Sequence, residues 1–357
     1  MTIRPPLYDE HVRLGAKITP FGGWDMPLQY SGVISEHTAV REHAGLFDVS
    51  HLGKLIVSGE GAEAFLDGLL PGKVAALGEW RAGYNLVLND DCGIIDDIFV
   101  YRRPDGFVVV PNASNSDAVK AVLIAKAPPG VSVQEGRERW AIIALSGPAA
   151  KRITGPHVPA IEDLKMHSFL DSSFEGIDVT MARTGYTGEY TIEFFVDPAS
   201  ASKLWNLLLD IGASDGLVPA GLGARDTLRL EMGFPLHGHE ISEQTDPIMA
   251  GLGWVIQWEK SFEHKSLLQT IRDAGTPTKL VGLMALGREI PRAGYQVASQ
   301  GKVIGNVVSG NYSPVLGKGI GLAYVESSSA EPGTILDVDV RGKTLEVQVT
   351  RPPFIKK

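Results

Sequence analysis

The sequence predicts an α+β fold with mainly antiparallel hairpins in its first part and a separate all-β barrel or sandwich at the C-terminus. Three observations carry this. Helix-period stretches and strand-like runs do not alternate regularly, as a doubly wound parallel sheet would require. The clearest strand pairs are joined by short turns. From Lys279 onward, short strands are punctuated by Gly301, Gly305, Gly310, Pro314, Gly317, Gly321 and Pro332, with no helix-length segment between them.

Helical periodicity appears in residues 33–44, 61–70, 116–126, 199–211 and 222–232, each bounded by Gly, Pro, Ser or Asp signals. Between them, a hairpin joins 84–88 to 94–101 through Asn89-Asp90-Asp91-Cys92-Gly93, and a further strand at 107–110 follows the turn Pro104-Asp105-Gly106. A second hairpin joins 179–183 to 190–196 across Gly185 to Gly188. The strand Ile94-Ile95-Asp96-Asp97-Ile98-Phe99-Val100-Tyr101 sets two adjacent carboxylates inside an apolar, β-branched and aromatic run. Successive strand side chains point to opposite faces, so at most one of the two reaches any given pocket. An unpartnered polar group on a covered strand costs about 1–3 kcal/mol, which makes the retained acid either a site residue or a turn-capping one.

A chain of 357 residues, 44% hydrophobic and 21% charged, is long enough for two or three domains with real cores. A net charge of −9, a pI near 5.5 and the absence of a dense Lys/Arg block with interleaved aromatics argue against a nucleic-acid surface. The single cysteine, Cys92, excludes an internal disulfide framework and any multi-cysteine metal site. No apolar signal core and no run of about 18 apolar residues is present, so the expectation is a soluble cytoplasmic protein without a membrane partner.

Several motifs fail on inspection. Gly221-Leu222-Gly223-Ala224-Arg225-Asp226 begins like a dinucleotide fingerprint but places Asp226 where the third glycine belongs, and that charge repels a pyrophosphate. No P-loop pattern occurs. Asp48-Val49-Ser50-His51 holds all three triad residue types, yet in an extended segment His51 points away from Asp48 and Ser50. His237-Gly238-His239-Glu240 is a weak metal signal and reads as structural. Cys92, beside Asp90 and Asp91, reads as a turn residue whose thiol those charges push upward.

Read together, Phe21-Gly22-Gly23-Trp24-Asp25-Met26-Pro27, Gly45-Leu46-Phe47-Asp48-Val49-Ser50-His51, Gly93-Ile94-Ile95-Asp96-Asp97, Arg183-Thr184-Gly185-Tyr186-Thr187-Gly188-Glu189 and Gly221-Leu222-Gly223-Ala224-Arg225-Asp226-Thr227-Leu228-Arg229 resemble, in order and spacing, the aminomethyltransferase (T protein) family of the glycine cleavage system. The resemblance extends through Leu236-His237-Gly238-His239-Glu240, Gly253-Trp254, Ser309-Gly310-Asn311-Tyr312-Ser313-Pro314 and Pro352-Pro353-Phe354, essentially the whole chain. It implies a three-lobed α+β arrangement with a C-terminal β-barrel around a central folate channel. The expected domains are 1–52 with 137–250 (folate-binding), an inserted domain 53–136, a connecting segment 251–278 and the barrel 279–357. It also implies transfer of an aminomethyl group from the lipoyl arm of the H protein to tetrahydrofolate, with ammonia released, and no metal.

The resemblance places the catalytic aspartate on Asp97 and leaves Asp96, on the opposite face, to a structural role against a neighbouring lobe or solvent. It assigns Glu193 and Arg225 to substrate binding and sets Tyr84, Asn112 and Tyr186 at folate-lining positions, with Trp254 as a ring that stacks. The residues alone read Glu193 otherwise: Thr191, Glu193 and Phe195 form the more polar face of their strand, expected to meet solvent. Arg225 and Arg229 share a helix face, with Asp226 within i,i+3 reach of Arg229. Thr191 stands where the family usually has glycine, so a backbone able to take positive φ is expected to be lost there. Two rival readings share the fold. One is a folate-dependent demethylase acting on a sulfonium or N-methyl compound. The other is an accessory protein for iron–sulfur maturation, whose Lys-Gly-Cys motif this chain lacks.

Overall fold

Four β-sheets organise residues 2–356, the part of the chain that the computed structural model describes. A hairpin pairs Lys17–Phe21 with Trp24–Gln29. A six-stranded sheet runs, in spatial order, Phe169–Phe174, Ile177–Ala182, Thr191–Val196, Ala141–Ser146, Ala44–Asp48 and Leu217–Pro219. All its neighbours are antiparallel except the last pair, which is parallel. A five-stranded sheet runs Arg81–Leu88, Ile94–Arg103, Gly106–Val110, Leu55–Gly59 and Val131–Glu135. Six strands from Thr278–Ala285 to Lys343–Thr350 close into a barrel, so the all-β C-terminal expectation resolves to a barrel.

By compactness the chain divides into two units, Met1–Val87 with Asp97–Arg225, and Leu88–Asp96 with Asp226–Lys357. The division passes between the two adjacent aspartates. Each unit is described by itself below.

The predicted helices form at Val33–Glu42, Ala62–Leu69, Ser116–Lys126, Pro198–Gly212 and Leu222–Met232. The first ends earlier than its periodicity suggested, because Ala44 opens the fully buried strand Ala44–Asp48. A Cβ on Gly45 would lie 2.4 Å from the Val40 side chain, so the strand closes directly against the helix it follows. The helices Tyr8–Arg13 and Ala150–Thr154 are too short to show a period, and Lys265–Ala274, within the stretch expected as a connector, buries only Leu268. Pro198–Gly212 starts where the Asp197 side chain accepts the Ala199 N–H at 2.8 Å with proline at the first helical position. It buries Trp205, Leu204 and Leu208 against Leu46, Ile143, Leu145 and Phe194 of the six-stranded sheet. In the barrel, Val281, Leu283 and Ala285, Leu336 and Val338, and Val347 and Val349 fill the interior at period two.

In the second unit, Arg229 is 1% exposed and ties the start of that unit together. Its guanidinium donates to Glu240 at 2.8 Å, to Asp226 and the Ser309 hydroxyl at 2.9 Å, and to the Phe234 carbonyl at 3.1 Å. The motif around His237 is therefore structural. Glu240 is a buried counter-charge, and His237 and His239 meet the carbonyls of Ile94 and Val308, each at 3.2 Å. Cys92 turns the predicted hairpin at φ +65° and is buried; burial first, then Asp246 and Asp91, push its thiol up to about 11. Among the described residues no helix is long and apolar enough to cross a membrane.

Removing one partner of a buried ion pair strands the other charge, at a cost of about 3–5 kcal/mol. Arg229→Leu is therefore expected to lower the unfolding free energy by that order in urea denaturation, whereas Arg229→Leu combined with Glu240→Leu recovers a substantial part of the loss.

Candidate active site

Pleat geometry separates the two aspartates of the Ile94–Arg103 strand as the sequence required. Asp96 is fully buried, which removes solvent as its partner, while Asp97 is half-buried on the opposite face. The Asp97 carboxylate is held from two sides. Tyr84, on the neighbouring Arg81–Leu88 strand, donates its hydroxyl to Oδ2 at 3.1 Å. Asn112, in the turn after Gly106–Val110, donates Nδ2 to Oδ1 at 2.8 Å and to the Asp97 carbonyl at 3.2 Å. Both were expected as ligand-lining residues; what their side chains demonstrably do is fix the plane of this carboxylate. Gly22, at φ +55°, seats the tip of the Lys17–Gln29 hairpin on the same turn, where a Cβ would come within 3.0 Å of Ala113.

Glu193 is 8% exposed, so the expected solvent-facing side of its strand is covered. The cover comes from the five-stranded sheet. Tyr101 shares the Asp97 and Phe99 face of its strand and packs edge-on against Phe195 and Phe169, with ring centroids 5.3 and 5.4 Å away. Its hydroxyl donates to Glu193 Oε2 at 3.3 Å and lies 3.1 Å from the Thr184 hydroxyl, which also donates to Glu193. A two-sheet contact of this kind is invisible to periodicity within either strand. Tyr101 and Thr184 were not singled out from the sequence, although the i,i+2 series from Asp97 through Phe99 to Tyr101 points to the former.

Arg225 sits in the first turn of Leu222–Met232 and stacks over the Tyr186 ring at 4.6 Å. Burial lowers its proton affinity, while the charge of Glu193 and then Tyr186 oppose that shift. The loop carrying Tyr186 is pinned on its C-terminal side. Arg41 donates to the Thr187 carbonyl at 2.7 Å and to Glu189 at 2.8 Å, and the Ser146 hydroxyl meets those of Thr187 at 2.5 Å and Thr191 at 2.8 Å. The glycines of Gly221-Leu222-Gly223 serve packing: a Cβ on Gly221 would lie 2.4 Å from the Leu28 backbone, and one on Gly223 would lie 2.6 Å from Val33. The Gly221 N–H, at the helix start where an anion would sit, is taken by Glu36 Oε2 at 2.9 Å.

Below this layer lies a buried ionisable network. The Asp48 carboxylate meets His11 Nε2 at 2.9 Å and the Ser50 N–H at 2.8 Å, and the Tyr30 hydroxyl lies 2.9 Å from His11 Nδ1. Asp48 thus pairs with a histidine far away in the chain and not with its motif neighbour His51. Burial works to raise the Asp48 carboxyl, but the hydrogen bond and charge of His11 and the contacts to Ser50 hold it below the ordinary range. Lys54 is fully buried with Nζ on the Ser50 carbonyl at 2.7 Å, and burial pulls its ammonium down to about 7 against the attraction of Asp48. Burial also pulls His51 down to about 3; Asp48 opposes this, and Arg225 and Lys54 add to it.

The comparisons fit this geometry. Residues 7–260 match the GCVT N-terminal domain, and residues 278–356 match the glycine cleavage T-protein C-terminal barrel domain. The chain is similar to the aminomethyltransferase of Streptomyces avermitilis, at 45% identity over 97% of this chain and 96% of that one. It is similar also to that of Desulforamulus reducens, at 41% identity over 99% and 98%. The chain belongs to the glycine cleavage T-protein family. Its fold superposes on the crystal structure of glycine cleavage system aminomethyltransferase T from Bartonella henselae with a TM-score of 0.93, at 33% identity over 99% of this chain and 98% of that one.

The departure from the family pattern at Thr191 costs the T-protein strand nothing in backbone. Thr191 pairs with Ser146 in regular antiparallel register and is absent from the residues at positive φ. The space is taken from Gly185 instead, where a Cβ would fall 2.6 Å from the Thr191 Cβ. Trp254 belongs to the second unit, in the short turn Gly253–Val255, and is 67% exposed.

The low folded value of His51 gives a signed expectation. The unfolded chain binds a proton near pH 6.5 and the folded chain only near pH 3, so stability rises with pH through that window. The slope reaches about 1.4 kcal/mol per pH unit where only the unfolded state is protonated. His51→Leu is expected to flatten this contribution in unfolding experiments from pH 6.5 down to 4, and an unchanged slope contradicts the assignment.

Proposed function

We propose that this T-protein family member is a tetrahydrofolate-dependent aminomethyltransferase. It takes the aminomethyl group from the lipoyl arm of the H protein, releases ammonia and leaves the reduced arm, in the cytoplasm. Asp97 is the catalytic carboxylate; Glu193, Arg225 and Tyr186 are the folate-binding set; Tyr84 and Asn112 act on the folate through Asp97. No metal is part of this reading.

The observation that carries the proposal is that two carboxylates of one unit are each clamped by neutral donors. Asp97 lies between Tyr84 and Asn112, and Glu193 lies beneath Tyr101 and Thr184. Glu193 is held at one oxygen by these two hydroxyls, and a pterin offers paired amino and ring N–H donors that match a carboxylate acceptor. Arg225, stacked on Tyr186, supplies a cation toward the same acid. Tetrahydrofolate supplies the amine that receives the one-carbon unit. Asp97 accepts a hydrogen bond from such an amine and stabilises positive charge as the amino group leaves its carbon. Because Tyr84 and Asn112 hold the carboxylate beforehand, little rearrangement is needed when that charge appears. Full-length similarity to proteins that carry the aminomethyltransferase name supports the lipoyl-borne donor over a sulfonium or N-methyl one.

Purified protein given tetrahydrofolate and an aminomethyl-lipoyl carrier protein is expected to release ammonia in proportion to carrier consumed. Thiol or thioether production from a methylated sulfonium, with no ammonia from the carrier, rejects the reading. Asp97→Asn is expected to lower turnover by about 10²–10⁴ with folate affinity nearly unchanged, the range of a lost acid–base group. Asp96→Asn, by contrast, acts on stability. Glu193→Gln is expected to weaken folate binding by about 10- to 150-fold, since a hydrogen bond to a charged group contributes about 1.5–3 kcal/mol. Equal turnover losses from the two aspartate variants at equal stability would contradict the face assignment.

A further inference from the structure

Asp97 and Tyr101 sit on one face of the Ile94–Arg103 strand, and the position between them on that face is Phe99. At about 3.3 Å per residue it lies midway, about 7 Å from each. The face is open there. Ile98 and Val100, which point the other way, are 1% and 0% exposed, whereas Phe99 is half-buried, as Asp97 is. Beyond it the face closes at Tyr101, which is buried under Phe195 and Phe169. Phe99 is thus the last ring on this face that a molecule lying against Asp97 can reach.

Its neighbours tie it to both acids. The Phe99 ring lies 5.8 Å from Tyr84, whose hydroxyl holds Asp97, and 6.2 Å from Tyr101, whose hydroxyl holds Glu193. His167 stands on a further side at 5.7 Å. The planes of Tyr84 and His167 are turned 67° and 75° from that of Phe99, and Tyr101 is tilted by 44°, so among the described residues no aromatic ring lies flat against it. At the far acid, the hydroxyls of Tyr101 and Thr184 both meet Glu193 Oε2, and Oε1 accepts from neither. One half-exposed phenyl ring therefore touches the clamp of each acid and stands between them.

We propose that Phe99 is a substrate-contacting residue, on which a flat ring of the folate rests while its donor edge meets Glu193 and its reacting amine meets Asp97. This deepens the folate reading above and rests on it. The pterin and p-aminobenzoyl groups are planar, and an aromatic ring set against a phenyl gains attraction beyond the burial of its area. Phe99 has no proton to give and no charge, so its contribution is to binding, equal in the ground state and the transition state. A spacer role predicts the opposite. A ring that only kept Tyr84 and Tyr101 apart would, when shrunk, loosen the hold on Asp97 and lower kcat.

The test compares wild type, Phe99→Ala, Phe99→Leu and Phe99→Tyr by calorimetric titration with 5-formyltetrahydrofolate, and by KM and kcat for tetrahydrofolate with an aminomethyl-lipoyl carrier protein. Phe99→Ala is expected to weaken 5-formyltetrahydrofolate binding about tenfold and to raise KM by the same factor with kcat kept. Phe99→Leu, apolar but without a ring, is expected to lose about threefold, and Phe99→Tyr, which keeps the ring, to bind nearly as wild type does. Unchanged affinity in a folded Phe99→Ala protein overturns the proposal. So does a fall in kcat at unchanged KM, the mark of a spacer, and so do equal losses in Phe99→Tyr and Phe99→Ala. If Phe99→Ala does not fold, Phe99→Leu decides: weaker binding with kcat kept supports the contact, and wild-type affinity overturns it. Wild type that fails to bind 5-formyltetrahydrofolate at all refutes the folate reading, and this proposal falls with it. Wild-type binding with only the Phe99 result negative refutes this proposal alone.

Discussion

The contact of the Tyr101 hydroxyl with Glu193 is the interaction on which the site depends. A carboxylate buried in the middle of a six-stranded sheet is affordable only if donors meet it, and the strand bearing Glu193 cannot supply them from its own face. Thr184 provides one donor from the loop at the end of Ile177–Ala182, and Tyr101 provides the second from the other sheet. Tyr101 and Asp97 lie on one face of one strand, four residues and about 13 Å apart along it, so the donor that satisfies Glu193 and the second acid are carried by the same element. Tertiary packing of Tyr101 on Phe195 and Phe169 makes that spacing rigid. The pleat of a single strand thus sets the positions of two acids that belong to different sheets.

The same economy of buried charge runs through the rest of the first unit. Glu36 spends one carboxylate on three backbone N–H groups, those of Tyr30, Gly32 and Gly221, and so ties the entry of one helix to the start of another. Asp48 is surrounded by His11, Ser50, Lys54 and His51, and its negative charge works against the loss of proton affinity that burial imposes on Lys54 and His51. Arg225, which feels the charge of Glu193, stacks on the face of the Tyr186 ring, as Arg183 does on Tyr190. A stacked guanidinium keeps its edge available for hydrogen bonding, which suits a residue that meets a ligand more than one that stabilises a core.

Much of the fold was legible because its signals are local. The 116–126 and 222–232 periodicities match Ser116–Lys126 and Leu222–Met232, and the Asn89 to Gly93 turn closes as a hairpin, with the Asn89 side chain accepting from the Gly93 N–H at 2.7 Å. The opposite faces of Asp96 and Asp97 followed from the period-two rule alone. What was not legible depends on residues that meet only in three dimensions. Alternation in 191–196 suggested one wet face, and all six residues are buried, because Tyr101 arrives from about 90 residues away in the sequence. The partner of Asp48 is His11 and not the histidine three residues along, a choice no spacing rule within the Asp48 to His51 motif contains. The function was legible only through the order and spacing of many weak motifs, none of which carries the chemistry by itself.

Thr191 illustrates how such a site absorbs a departure from its family's pattern. A glycine is usually needed where φ is positive or where another backbone comes close, and neither applies at Thr191 itself, which sits in regular register opposite Ser146. Gly185, itself part of the motif shared with the family, has no side chain and leaves room for the threonine methyl and hydroxyl. The hydroxyl then joins Ser146 and Thr187 in a buried cluster and accepts nothing from solvent, so the added polar atom is satisfied. Its consequence lies two residues back: the Glu189 carbonyl accepts from the Thr191 hydroxyl, and the Glu189 side chain in turn holds Arg41. A substitution that looks like a loss of backbone freedom next to Glu193 is instead a gain of side-chain anchorage for the loop that presents Tyr186 to Arg225. Shape near Glu193 is preserved by making the loop stiffer, not by keeping the strand flexible.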